Sequence, residues 1–333
     1  MYVYSAYLDL RNPKDLMFRV LGFSHKAKAR FYCIIYHEDG TIISVQGAYQ
    51  DMYQTAKPMH RRFYYQSYFF LCKHTQLDKK PVAVSLTQHP CTGNVTNILK
   101  VHVRKSATEK KYNKTILVCV KHLYNFRSAH RLVEFLEYQR LLGVTHVKVY
   151  DWTALSWAVK ETLKYYMTLG FVSRQLWYLP VKSSRYLIGG KQKMVKTHAQ
   201  YVAIQDCIYR HMLDYAYIAI NDMDDFIVPH AEGIDTFKQL LSVMELVAAS
   251  THHTPAGFHF SNAQFCRHDI SRGRYVPSSY LEPSVRSLHS ARASSILDVS
   301  CALASMLSWR LFRVMKKHFM WRPLSRSNIT TAT

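Results

Sequence analysis

Residues 115–151 read TILVCVKHLYNFRSAHRLVEFLEYQRLLGVTHVKVYD, and two periodicities alternate within them. TILVCV (115–120) is a continuous apolar run of the length of a buried strand. Ser128 is a good helix N-cap, and Leu132, Phe135, Leu136 and Leu142 recur at helical spacing up to Gly143, where a helix stop is wanted. Arg131, Glu134, Glu137 and Arg140 are left for the solvated side of that helix. THVKVYD (145–151) then returns to strand. Strand, amphipathic helix and strand in so short a span predict a β-α-β unit with the helix covering a parallel sheet.

The alternation continues toward the carboxyl terminus. A helix over about 154–169, a strand in FVSRQLWYLP (171–180), a long helix over 198–215 and the strand AYIAI (216–220) extend it, which predicts an α/β, Rossmann-like sheet. In the other direction the pattern changes. VYSAYLDL, FRVLGF, RFYCIIYHED, TIISVQGAY, FYYQSYFFLC, PVAVSLTQ and NILKVHV are rich in aromatic and β-branched residues and separated by turn signals, so residues 1–105 read as an all-β module. RKSATEKKYNK (104–114) is charged and nearly free of aliphatics and marks the boundary. The expected organisation is a β module at 1–105, an α/β domain at 114–290 and a tail at 291–333.

Composition narrows the function classes. The chain has 333 residues, 48% hydrophobic and 14% aromatic, enough apolar surface to exclude a disordered protein. Lys and Arg number 44 against 22 Asp and Glu, a formal net charge of +22 that fits an anionic partner (nucleic acid, a phosphorylated metabolite or a membrane surface) or simply a well-solvated surface. The most apolar stretch, Ile296 to Trp309, is too short for a membrane span. MYVYSAYLDL has no basic leader and no cleavage pattern, so the chain is expected to be cytosolic or to begin partway through a longer product. The seven cysteines form no C-x-x-C pair, and sequons at Asn94, Asn113 and Asn328 lean toward a lumenal compartment.

In open α/β sheets ligands bind at the carboxyl ends of the strands. The strand AYIAI runs there into Asn221, Asp222, Met223, Asp224, Asp225 and Phe226. If the chain stays extended, Asp222 and Asp224 point to one side and Asp225 to the other, so two carboxylates can share a cation. Oxygen donors of this kind suit Mn²⁺ or Mg²⁺ with positions left for a diphosphate. A solvated turn capping the next helix is the competing reading.

Four stretches together resemble glycosyltransferase family 92: YVYSAYLDLR (2–11), RLVEFLEYQRLLGVTHVKVYD (131–151), AIQDCIYR (203–210) and AINDMDDFIVP (219–229), in the family's order and spacing. The family's D-x-D-E-F stands here as Asp222, Met223, Asp224, Asp225 and Phe226, with Asp in the fourth place. The resemblance covers about Tyr2 to Pro283. It implies a GT-A-type fold, a Golgi lumenal catalytic domain whose membrane anchor is absent from this chain, and Asp222 and Asp224 holding Mn²⁺ (or Mg²⁺) against a UDP-sugar. It further implies inverting transfer of a hexose, galactose in the first place, to a glycan acceptor, with no nucleic acid expected as partner.

Around this centre, Asn125 and Asp151 lie at strand ends where uracil or ribose is met in such folds, with turn roles as the alternative. Gln200, three residues after Thr197, completes a T-x-x-Q capping box. Asp206 fits either a substrate pocket or a buried hydrogen-bond network. Inversion needs a base, for which Glu282 is the first candidate and Asp269 its rival. His259, His268 and His289 are available as a third metal ligand. Arg185, Lys191, Lys193 and Lys196 surround Gly189 and Gly190 in a basic loop that is not a Walker motif. The tail from about Leu288 departs from the family pattern. Two other classes remain open: a catalytically inactive glycan-binding relative, and a basic, aromatic-rich nucleic-acid-binding protein.

Overall fold

The structure, a computed structural model, describes residues 1–12, 15–25, 29–52, 65–74, 78–90, 95–103, 115–152, 155–184, 195–229, 232–250, 257–260, 263–265, 304–307 and 319–321. In chain order the elements begin with β1 (Tyr2–Asp9), β2 (Met17–His25), β3 (Tyr32–His37), β4 (Ile42–Gln46), β5 (Ala48–Asp51), β6 (Tyr65–Lys73), β7 (Pro81–Thr87) and β8 (Leu99–Val103). Then come β9 (Ile116–Leu123), α1 (Ala129–Leu141), β10 (His146–Trp152), α2 (Trp157–Thr168), β11 (Val172–Trp177), β12 (Ser183–Ser184), β13 (Val195–Lys196) and α3 (Gln200–His211). The remainder are β14 (Tyr217–Asn221), β15 (Asp225–Ile227), α4 (Phe237–Ala249), β16 (Gly257–His259), β17 (Ala263–Phe265), β18 (Ala304–Leu307) and β19 (Phe319–Trp321). Among the described residues no helix is long and apolar enough to cross a membrane.

The chain divides into two units. The described residues of Met1–Lys111 and Trp177–Asp214 form one, those of Tyr112–Leu176 and Tyr215–Pro323 the other. The first unit carries a ten-stranded sheet in the order β12-β13-β6-β2-β1-β8-β7-β3-β4, with β5 paired to β6. Its core gathers Phe18, Val20, Phe31, Ile35, Phe70 and their neighbours, and a Cys33–Cys72 disulfide ties β3 to β6. The β2–β1 pair is so close at Gly22 that a Cβ there would meet the Tyr2 carbonyl oxygen at 2.1 Å, so only glycine fits.

The helix expected over 198–215 is α3, shorter and differently employed. It packs on β1, β2 and β6 of the first unit instead of joining the alternation of the second. The reason lies in its buried stripe, Val202, Ala203, Asp206, Cys207 and Tyr209, two of which are polar groups matched to the first unit. Asp206 is fully buried, accepts from Tyr7 Oη at 2.5 Å and pairs with Arg210 at 2.9 Å. The hydrogen-bond network is thus its role. The expected capping box at Thr197 is not formed: Thr197, His198 and Ala199 all have φ near +50°, and Ala199 is the N-cap, without a side-chain bond.

In the second unit the sheet order is β11-β10-β9-β14-β19-β16. β10 and β14 flank β9 and both run parallel to it, while β19 is antiparallel to β14. Numbering only the first four strands of this unit gives 3-2-1-4, so the order reverses beside β9. The β-α-β unit predicted from residues 115–151 is present as β9-α1-β10. Ser128 accepts the Arg131 amide at 3.4 Å, and at the far end Gly143 (φ +78°) and Val144 donate to the Arg140 and Gln139 carbonyls. That is a Schellman stop. Gly170 and Phe171 end α2 by the same device. Leu132, Phe135 and Leu136 of α1, Val159 and Leu163 of α2 and Leu240 of α4 enter one core with Val118, Val120, Val147 and Val149 of the strands.

Candidate functional site

The carboxyl ends of β9, β10 and β14 bring the site residues of this unit to one edge of its sheet. Register decides which ones meet. Val120 lies opposite Asn221 and Leu123 opposite Asp151, so Lys121 is presented beside the residues that follow β14. β9 runs to Leu123, beyond the apolar run that announces it.

The acidic segment is not extended, as alternation requires, but turns. The Asp225 amide donates to the Asp222 carbonyl at 3.2 Å, and the Asp222 amide donates back to Asp225 Oδ2 at 3.3 Å. The buried Asp225 therefore closes the turn from inside. Phe226 anchors it, edge-on to Tyr138 at 5.2 Å and to Phe135 at 6.1 Å, and Tyr138 Oη donates to the Ile227 carbonyl at 3.0 Å. Asp222 and Asp224 are left at the surface of the turn, the first half-buried and the second exposed.

Charge at this turn is concentrated. Residue Asp224 is open to solvent, yet protein packed about its carboxyl, then the charges of Asp225 and Asp222, raise its pKa above the ordinary carboxylate value. Arg131 opposes the rise, so this α1 cation acts on the turn and is not merely solvated. Asp222 Oδ2 pairs with Lys121 Nζ at 2.6 Å. Asn221, wholly buried, keeps an Oδ1 with no hydrogen-bond partner. Among the described residues no three His, Cys, Asp or Glu side chains converge on one point. Two surface carboxylates under mutual repulsion fit a hard divalent cation that takes its other oxygens from water and phosphate.

Asp151 is 5% exposed at the end of β10 and held by Arg174 of β11, whose Nε donates to Oδ2 at 2.7 Å. Its Oδ1 is buried without a hydrogen-bond partner. Asn125 is exposed in the left-handed region (φ +49°), which asparagine tolerates, and accepts from Arg127 Nε at 3.1 Å. Near it Trp152 meets Tyr124 edge-on at 5.5 Å and His122 at 5.6 Å, an aromatic group no sequence pattern singled out. Lys121 and Arg174 were equally invisible, because each depends on strand register.

Glu282, Asp269, His268, His289 and the basic residues Arg185, Lys191 and Lys193 lie outside the described residues, as do the sequons and most of the tail. His259 and Lys196 are described in backbone only.

Two comparisons bear on this arrangement. The family model of glycosyltransferase family 92 matches residues 114–295. A beta-1,4-galactosyltransferase of Caenorhabditis elegans, galt-1, is 27% identical over 148 residues, 44% of this chain and 33% of that protein. The aligned stretch thus spans about a third of the relative's length.

Proposed function

Since this chain belongs to glycosyltransferase family 92, we propose that it moves a hexose, galactose in the first instance, from a UDP-sugar to a glycan acceptor with inversion, on a GT-A-type nucleotide domain. The observation that carries the reading is the acidic turn at the end of β14, set where the strand order reverses and ligands of such sheets bind. Asp222 and Asp224 hold Mn²⁺ or Mg²⁺, and Asp225 and Phe226 hold them in place. The cation, when bound, neutralises charge developing on the departing diphosphate. Asp151, fixed by Arg174 at the end of β10, and Asn125 lie at the edge of the sheet that the nucleoside would occupy. The acceptor hydroxyl oxygen attacks the anomeric carbon as the bond to phosphate breaks. Its proton passes to a carboxylate base, a role assigned to Glu282. The galactosyltransferase named among the relatives supports the choice of sugar. The Cys33–Cys72 disulfide supports an oxidising, lumenal compartment such as the Golgi.

The test is transfer itself. The purified chain incubated with UDP-galactose, Mn²⁺ and a panel of galactose- and N-acetylglucosamine-terminated glycans is expected to yield a product one hexose heavier. Asp222→Asn and Asp224→Asn are expected to lower that yield at least about 100-fold, the scale on which losing charge stabilisation of a transition state acts. Transfer that persists in both variants would sink the assignment of the metal pair.

A further inference from the structure

The acidic turn already holds a cation belonging to the protein. Lys121 Nζ lies 2.6 Å from Asp222 Oδ2, the lysine side chain 22% and the aspartate 38% exposed. Strand register delivers it there, because β9 and β14 pair in parallel with Val120 opposite Asn221. Arg131 acts on Asp224 from the first turn of α1. Three carboxylates, Asp222, Asp224 and Asp225, are thus already faced by two cations of the chain.

We propose that Lys121 is the resident counter-ion of this turn, displaced from Asp222 when a divalent cation binds and then available to pair with the donor's diphosphate. The inference rests on the reading of Asp222 and Asp224 as metal ligands. An ammonium and a divalent cation at one carboxylate repel each other, so metal binding must break the Lys121–Asp222 pair. The metal alone is therefore held weakly. A diphosphate supplies new negative charge within reach of a four-carbon stem, and the lysine needs no fixed geometry to use it. Metal and nucleotide then bind with positive coupling, each favouring the other by the same factor. Asp222 thus keeps a counter-ion before the donor arrives and after product leaves.

The test uses the full chain, with free Mn²⁺ followed by electron paramagnetic resonance during titration, first alone and then with UDP. Lys121→Met is expected to bind Mn²⁺ alone roughly two- to fivefold more tightly, the size expected for losing an ion-pair competitor. UDP should then tighten Mn²⁺ binding by a smaller factor than in the parent protein. Lys121→Arg, which keeps the charge, should stay within about twofold of the parent in Mn²⁺ affinity. Lys121→Gln serves if the methionine variant does not fold. Unchanged or weaker Mn²⁺ affinity in the neutral variants, or undiminished coupling to UDP, while the parent binds Mn²⁺, would overturn the role of Lys121 and leave the metal pair standing. Mn²⁺ bound by neither parent nor variants would overturn the metal pair and this inference with it.

Discussion

Asp9 and His74 lie in the first unit and both make it sensitive to acid, in different pH windows. Burial alone would raise the Asp9 pKa, but bonds from Arg11 (2.7 Å) and Arg19 (2.7 Å), with their charges, more than offset it and hold it at about 2. A carboxylate lowered from 3.8 contributes stability that is full above the unfolded value and lost as pH falls toward about 2; here it amounts to about 2 kcal/mol. His74 is shifted down by burial first and then by the charge of His37, whose ring stacks on it at 5.9 Å. The folded state thus resists a proton that the unfolded chain takes up near 6.5, so stability falls as pH drops below that value. Urea midpoints from pH 8 to 3 are expected to decline in two stages. His74→Phe should flatten the upper stage and Asp9→Asn the lower, with Asp9→Asn also less stable at pH 7. A midpoint independent of pH between 7 and 5 in the parent would contradict the first assignment.

Among the elements, the acidic turn and α1 depend on each other. Phe226→Ala removes the ring seated on Phe135 and Tyr138 and should cost about 3–5 kcal/mol. Its midpoint in denaturant and its UDP affinity should fall together, since the carboxylates lose their anchor. Gln139 is the opposite case. It occupies the core stripe of α1 fully buried, with neither amide atom bonded to a protein group. Gln139→Leu keeps the volume, ends that desolvation and is expected to stabilise by about 1–2 kcal/mol in the same assay. A destabilised variant would mean the amide is satisfied. The helix itself was legible: Ser128, the apolar spacing and Gly143 mark its ends by local chemistry. The turn at Asp222–Asp225 was not, because an acidic run carries no periodicity and the chain reverses through its own amides. Thr236 with Gln239 forms a true capping box at the start of α4, while the T-x-x-Q match at Thr197 does not form one.

At the scale of the molecule, the β-rich start and the α/β alternation were legible from composition and period, and the parallel β9-β10-β14 arrangement follows from them. What local pattern does not carry is allegiance over long separations. The described residues of 177–214 join the first unit because Asp206, Tyr209 and Arg210 complete a network with Tyr7 and Arg11 nearly 200 positions away. The disulfide partner of Cys33 was equally hidden. Its closure of 39 residues is worth about 4 kcal/mol by chain entropy, so Cys33→Ala with Cys72→Ala should lower the unfolding free energy by roughly that amount. Gly22→Ala, which drives a Cβ into backbone, should compromise the same unit more than any surface change. Lys121 and Arg174 belong here too: each meets its carboxylate through neighbouring strands of the sheet, and no motif scan registers that.

The most direct measurement of the central claim is thermal stabilisation of the full chain by UDP, with and without Mn²⁺, beside Asp224→Asn. A ligand that binds only the folded state must raise the melting temperature. The account predicts a rise of several degrees that needs Mn²⁺ and disappears in the variant. A rise of equal size without Mn²⁺, or one retained by Asp224→Asn, would contradict it.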